Sequence, residues 1–190
     1  MRATVFHGHG PEDSLGVEVH GRLLESLHRR GWEADDLDLA GMRLAPCTGC
    51  FDCWLKTPGL CTQKDDGRKT AGARALSDAF IVLSRVTFGG YSSRVKTAMD
   101  RNLPTLLPLF TKYRGEMHHP QRYRRQAFLA LGWQDRPEGE SAGIFARLAG
   151  RNALNMQATA SGSLVLHGGQ SAGERQEAVE TLLEKLEARP

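Results

Sequence analysis

All four cysteines of this 190-residue chain, Cys47, Cys50, Cys53 and Cys61, fall inside the stretch CTGCFDCWLKTPGLC. Their spacing, C-x2-C-x2-C-x7-C, concentrates the thiols in one loop. Four thiolates on a flexible loop suit a four-iron four-sulfur cluster, and many cluster loops begin with C-x2-C-x2-C before a remote cysteine. Here the remote cysteine lies only eight residues on and no proline follows it. A single zinc ion takes the same donors, although one-zinc sites more often use two separated C-x2-C knuckles. A purely structural reading stands beside these, in which Phe51, Trp54 and Leu55 pack the loop at a subunit contact and the thiols remain free. Spacing sets ligand geometry and leaves occupancy open.

Two further stretches could bind a ligand. HGHGPEDSLG, residues 7 to 16, brings small residues to the start of an amphipathic segment. A helix N-terminus presents unpaired N–H groups and a partial positive charge, which suits a phosphate. Gly8 and Gly10 begin a G-x-G-x-x-G pattern, but Asp13 stands where its third glycine belongs, so the dinucleotide fingerprint fails. SRVTFGGYSSRVKTAMDR, residues 84 to 101, offers Gly89 and Gly90 for close backbone approach and Phe88 and Tyr91 as aromatic surface. Ser92 or Ser93 can cap the next helix, and Lys96 and Asp100 read as a structural i, i+4 pair.

The other histidines carry less. His7 and His9 alternate and share a face only if both remain in a strand, which the intervening glycines argue against. The adjacent His118 and His119 are expected to diverge. They belong to the basic stretch 112 to 125, with Lys112, Arg114, Arg122, Arg124 and Arg125 among Tyr113 and Tyr123. That stretch reads as a solvated charged loop, with nucleotide phosphates, a second subunit or nucleic acid as alternatives.

Positioning such loops requires a scaffold. Apolar, partly β-branched runs at Ala3 to Phe6, Ala34 to Leu39, Ala79 to Ser84, Ala127 to Gly132 and Ser163 to His167 predict strands. Leu15, Val19, Leu23 and Leu27 recur at every fourth residue and predict a helix with Ser14 as its cap and Gly31 as its stop. Ser171 and Glu174 form a capping box ahead of the stripe Val179, Leu182, Leu183 and Leu186. Strands alternating with helices predict an α/β fold, a flavodoxin-like three-layer sandwich with a five-stranded parallel sheet of order 2-1-3-4-5. Its ligand crevice opens at the carboxyl ends of strands 1 and 3. One domain over 1–190 is expected, interrupted by the cysteine-rich loop at 41–66 and an inserted segment at 103–125. Loops of that length usually carry function.

With 40% hydrophobic and 25% charged residues the composition is that of a globular chain, and a net charge of +3 is too mild to argue for nucleic acid. The opening MRATVFHGHG has no apolar stretch of signal-peptide length and no run approaches a membrane span. A cytoplasmic protein with no membrane partner is expected, and a reducing cytosol disfavours disulfides among the cysteines.

The sequence resembles the flavodoxin-like NAD(P)H-dependent FMN reductase family, in particular its cysteine-rich-loop branch, which is similar to the iron-sulfur flavoproteins. The resemblance rests on CTGCFDCWLKTPGLCTQKDD at 47 to 66, AFIVLSRVTFGGYSSRVKTAMDR at 79 to 101 and GEMHHPQRY at 115 to 123. It implies FMN in the crevice, contacted by His7, Gly8, His9, Ser14 and Leu15, by Arg85, Val86, Thr87, Phe88, Gly89, Gly90 and Tyr91, and by Gly132 and Trp133. Ser14 and the first helical N–H groups would hold the phosphate, with His9 lending partial positive charge. It also implies Cys47, Cys50, Cys53 and Cys61 as ligands of a 4Fe-4S cluster. No side chain is required as catalytic acid or base, since the flavin carries the chemistry.

The activity so implied is an oxidoreductase taking electrons from NADH or NADPH through FMN to a quinone, a flavin or another small-molecule or protein acceptor. Alternatives are an iron-sulfur flavoprotein electron carrier between protein partners and a non-catalytic flavodoxin-fold binding or regulatory protein. Family analogy and the apolar LPTLLPLF at 103 to 110 suggest a homo-oligomer. Two departures stand out. Glu12 and Asp13 lie where the family usually has a Ser-x-Arg phosphate loop, and Arg85 and Thr87 replace the proline and tyrosine often found after strand 3.

Overall fold

The strand runs become a parallel sheet because alternate residues of each find apolar partners on opposite faces. The computed structural model describes residues 1–187, so the last three residues of the expected 1–190 domain lie outside the described residues. Strand β1 (Arg2–His7) leads through helix α1 (Ser14–Arg29) to β2 (Glu33–Asp38). The cysteine loop carries a single turn, α2 (Asp52–Leu55), and runs into α3 (Gly67–Leu76). Strand β3 (Ala79–Arg85) is followed by α4 (Ser93–Asp100), a 3-10 turn at Leu103–Thr105 and the strands β4 (Thr111–Tyr113) and β5 (Glu116–His118). The chain closes with β6 (Ala127–Gln134), α5 (Ser141–Asn155), β7 (Ser161–His167) and α6 (Ala172–Glu187).

The main sheet has the order β2-β1-β3-β6-β7, all pairs parallel. Counting only its own strands, this is 2-1-3-4-5. On one face Val5, Ile81, Leu83, Leu129 and Leu131 pack under Val19, Leu23 and Leu27 of α1 and Val179 and Leu183 of α6. On the other, Phe6, Phe80, Val82 and Phe128 pack against Val95 of α4 and Phe145 and Ala149 of α5. The strand order reverses between β1 and β3, and the loops leaving those two parallel strands part there to form a crevice.

Two local expectations are corrected. Asp13, not Ser14, caps α1: its Oδ1 accepts the Gly16 amide at 3.1 Å, and Ser14 is the first helical residue. Aspartate caps as well as serine, and here the helix begins one residue earlier than a cap at Ser14 requires. Ser92 occupies the N-cap position of α4, but its hydroxyl makes no capping bond. The inserted segment is also more ordered than an irregular loop. β4 and β5 pair antiparallel around Arg114 and Gly115, both at positive φ (48° and 86°), as a two-residue hairpin turn demands. The capping box of α6 forms as read, with the Ser171 amide donating to Glu174 and the Glu174 amide to Ser171 Oγ. No helix among the described residues is long and apolar enough to cross a membrane.

Candidate functional site

The crevice at the ends of β1, β3 and β6 encloses about 300 Å³ and is lined by Gly8, His9, Asp13, Arg85, Thr87, Ser92 and Trp133 among others. Its centre is a carboxylate. Asp13 accepts the Gly16 amide, the Arg85 Nε–H at 3.0 Å and the Trp133 Nε1–H at 2.9 Å. Burial works to raise the Asp13 carboxyl, and the Arg85, Gly16 and Trp133 hydrogen bonds outweigh it, leaving its pKa below the usual range. Asp135 and Asp13 together raise that of Arg85. One helix amide, a guanidinium and an indole N–H thus converge on a single anionic group at the switch point. Of the two acidic residues of the loop, Asp13 turns inward, where Arg85 pairs with it.

Of the residues expected at a cofactor, the structure brings Gly8, His9, Arg85, Thr87 and Trp133 to the crevice. Val86, Tyr91 and Gly132 do not present side-chain surface there. Val86 and Tyr91 are buried in the core beside Phe145, Tyr91 sits 5.3 Å from that ring, and its hydroxyl accepts from Asn152. Leu15 packs on the opposite core. Any contact from these residues would be through the main chain. Between Val86 and Tyr91 the chain makes a tight turn, Thr87 and Gly90 exchanging both backbone hydrogen bonds. Phe88 sits at its tip with φ 50° and 99% exposure, and Gly89 follows at φ 76°. A phenylalanine held in the left-handed region costs roughly 1 kcal/mol or more, so an exposed aromatic placed there points to use of that surface.

His7 and His9 do share a face, against the expectation from the glycines: their rings stack at 4.5 Å. His20 of α1 joins them, and no local spacing announces it because strand and helix meet only in the tertiary fold. Burial, then the neighbouring His20, lower the pKa of both rings, that of His7 to about 4. Burial and the neighbouring His20 thus disfavour a positive charge on His9, the charge expected to assist a phosphate.

The four thiols line one cleft of about 10 Å³ together with Arg101 and Pro104. Cys47 and Cys50 are exposed, Cys53 is buried, and all four cysteines are free. Burial, then the other three cysteines, raise the Cys53 thiol, while the Asp52 backbone amide leads the lowering of Cys50. The loop is pinned by a buried ion pair, Arg101 Nη2 to Asp65 Oδ1 at 2.6 Å, with 1% and 8% of the two side chains exposed. Asp65 also accepts the Ala45 and Gly67 amides, and Arg101 donates to the Ala45 carbonyl and to Cys61 Sγ at 3.4 Å. That arginine hydrogen bond, ahead of the other causes, holds the Asp65 carboxyl at about 2. Trp54 Nε1 donates to the Leu103 carbonyl, tying the loop to the inserted segment. In that segment His118 turns to Asn155 and His119 to the Leu109 carbonyl, so the adjacent histidines diverge. Arg124 there pairs with Asp78, and Glu116 of the hairpin with Arg151.

Residues 1–146 match the family model described as NADPH-dependent FMN reductase. The chain belongs to that family. It is 33% identical over 55% of its length to an iron-sulfur flavoprotein of Archaeoglobus fulgidus, covering 46% of that protein. It is 36% identical over 50% of its length to an iron-sulfur flavoprotein of Methanocaldococcus jannaschii, covering 47%. The chain spans about half the length of the curated relatives it matches. Among solved structures, an NAD(P)H:quinone oxidoreductase from Methanothermobacter marburgensis superposes with a TM-score of 0.72, over 95% of this chain and 96% of that one, at 13% identity. An azoreductase from Bacillus anthracis superposes with a TM-score of 0.62, over 98% and 97%, also at 13% identity. These two likenesses show the flavodoxin-like fold.

Proposed function

We propose that this chain is an FMN-dependent oxidoreductase that takes electrons from NADH or NADPH and delivers them to a quinone, a flavin or another acceptor. The observation that carries this reading is the convergence of the Gly16 amide, Arg85 and the Trp133 indole on one anionic group at the switch point of a flavodoxin-like sheet. That donor set fits a phosphate monoester in charge and in number of N–H groups, and Asp13 is its internal competitor. The crevice volume, about 300 Å³, is at the lower end of the range for small-molecule sites. Bound FMN would supply hydride acceptance and stepwise electron release.

The protein's part is positional. Arg85 and the start of α1 would hold the phosphate, and the main chain of residues 85 to 91 would border the ring. The Ser92 hydroxyl, buried and without a partner although the residue itself is only half-buried, is a further polar group at the crevice lining. Phe88 offers the exposed face against which a second planar ring, nicotinamide or acceptor, would lie. The test is anaerobic turnover: protein saturated with FMN should oxidise NADH or NADPH in the presence of a quinone, and a holoprotein that oxidises neither nucleotide would refute the reading.

The cysteine loop favours a second reading, an electron carrier with a 4Fe-4S cluster on Cys47, Cys50, Cys53 and Cys61. Arg101 beside Cys61 supports it, since a guanidinium offsets the charge of clustered thiolates. The donors fit such a cluster in chemistry and number; the 10 Å³ cleft fits it only after the loop opens. Iron and acid-labile sulfide assays on anaerobically purified protein decide between cluster and free thiols. A cytoplasmic location and self-association complete the reading. The latter is supported by Leu109 and Phe110, 60% and 70% exposed, which a second copy would cover.

A further inference from the structure

Three histidines meet beside the crevice, and one of them, His9, lines it. His7 ends β1, His9 follows two residues later, and His20 reaches them from α1, with ring centroids 4.2 Å (His7–His20) and 5.0 Å (His9–His20) apart. One ring nitrogen from each lies within 4.8 Å of the other two. His9 Nε2 and His20 Nδ1 are already 3.1 Å apart. Two nitrogens bound to one tetrahedral ion at about 2.0 Å stand about 3.3 Å from each other.

With all three rings neutral, their hydrogen bonds do not close among themselves. Asp36 Oδ1 only accepts, so His20 Nε2, 2.9 Å away, carries the proton and its Nδ1 faces His9 as a lone pair. A neutral His9 then gives its single N–H to His20, and its Nδ1 lone pair is left facing the Gly10 carbonyl oxygen at 3.4 Å. His7, whose side chain is 8% exposed, has a buried Nδ1 without a partner. A cation among the rings removes these conflicts. His9 Nε2 and His20 Nδ1 become ligands, the His9 proton moves to Nδ1 and is donated to Gly10, and His7 contributes the third nitrogen. Ligating histidines commonly give their other ring N–H to a carboxylate or a backbone carbonyl in this way.

We propose that His7, His9 and His20 bind one divalent ion of the zinc class, with Asp36 and the Gly10 carbonyl orienting the rings. Imidazoles suit zinc, copper and nickel rather than calcium or magnesium. Three protein nitrogens leave one coordination position open, as in zinc sites that accept an exogenous ligand. His9 lines both the cluster and the crevice, so the ion would stand at the crevice wall.

The test is titration of the chelator-treated 190-residue chain with Co2+, read by its visible spectrum, because the cysteine loop is a second place for the probe. Cobalt on thiolates shows an intense sulfur-to-metal charge-transfer band, and cobalt on imidazoles lacks it. The proposal expects one equivalent bound without that band, lost in His9→Gln and in His20→Gln, and an affinity about 10- to 100-fold lower in Asp36→Asn. His9 is only half-buried, so His9→Gln should fold, which far-ultraviolet circular dichroism checks. Cobalt bound solely with the charge-transfer band, no cobalt bound at all, or the thiolate-free equivalent retained in folded His9→Gln would each overturn it.

Discussion

Arg85 grips Asp13 with two nitrogens, Nε to Oδ2 at 3.0 Å and Nη2 to Oδ1 at 3.2 Å, across the mouth of the crevice. The pair joins the end of β3 to the start of α1, and it places the chain's own carboxylate on donors suited to an external phosphate. Arg85 reaches Asp135 as well, so the guanidinium bridges the loops after all three central strands. A ligand phosphate and Asp13 compete for the same positive charge, and the outcome depends on that charge more than on crevice shape.

Asp13→Asn is therefore expected to tighten FMN binding about tenfold, roughly 1.4 kcal/mol. Asparagine still caps the helix and still accepts from Gly16, so the gain comes from the lost negative charge. Flavin-fluorescence quenching on the two proteins measures it, and an unchanged or weaker affinity would place the phosphate elsewhere.

Arg85→Ala should act in the opposite direction. It leaves Asp13 and Asp135 without their shared cation and should weaken FMN binding at least tenfold, with nucleotide oxidation restored at high added FMN. A variant whose FMN affinity matches the parent protein removes Arg85 from the site.

Gly16→Ala tests how closely the helix approaches the crevice floor. A methyl group there would stand 2.7 Å from Trp133 and 3.1 Å from the Asp13 carboxyl carbon. Alanine normally gains up to about 1 kcal/mol over glycine inside a helix, but forcing the buried Trp133 aside costs about 1–3 kcal/mol. The net expectation is a less stable protein with weaker FMN binding, read by urea unfolding and flavin titration. A more stable variant would mean that the indole moves freely.

Asp65→Asn tests the anchor of the cysteine loop. Arg101 would be left buried and uncompensated, costing about 3 kcal/mol at pH 7. The sign with pH follows from a folded pKa of about 2, lower than the unfolded value near 3.8. The contribution is complete above the unfolded value and is lost as pH falls through the folded one. The stability gap between Asp65→Asn and the parent protein should thus narrow from pH 4 towards about 2. A gap that does not change over that interval would contradict the assigned pairing.

The scaffold was legible because periodicity is a local signal. Val19, Leu23 and Leu27 announce the buried face of α1, and the alternation through Phe80, Ile81 and Val82 announces a strand covered on both sides. The site was legible only as a set of loops. Asp13 and Ser14 are both competent caps, and choosing between them needs the position of Arg85, 72 residues away. Tyr91 and Phe88 look alike in the sequence; one is buried and the other 99% exposed, because the tight turn from Thr87 to Gly90 separates them. His20 carries no motif, and its meeting with His7 and His9 depends on how α1 lies across β1. The β4–β5 hairpin was hidden for a different reason: strands of three residues are too short to show a period.

The central claim is that the crevice between β1 and β3 seats FMN by its phosphate on Arg85 and the start of α1. Its most direct measurement is an anaerobic titration of the purified chain with FMN and, in parallel, with riboflavin, which lacks the phosphate. The account predicts saturation at one FMN per chain, with riboflavin bound at least tenfold more weakly. Equal binding of the two flavins, or no saturable FMN binding at all, would contradict it.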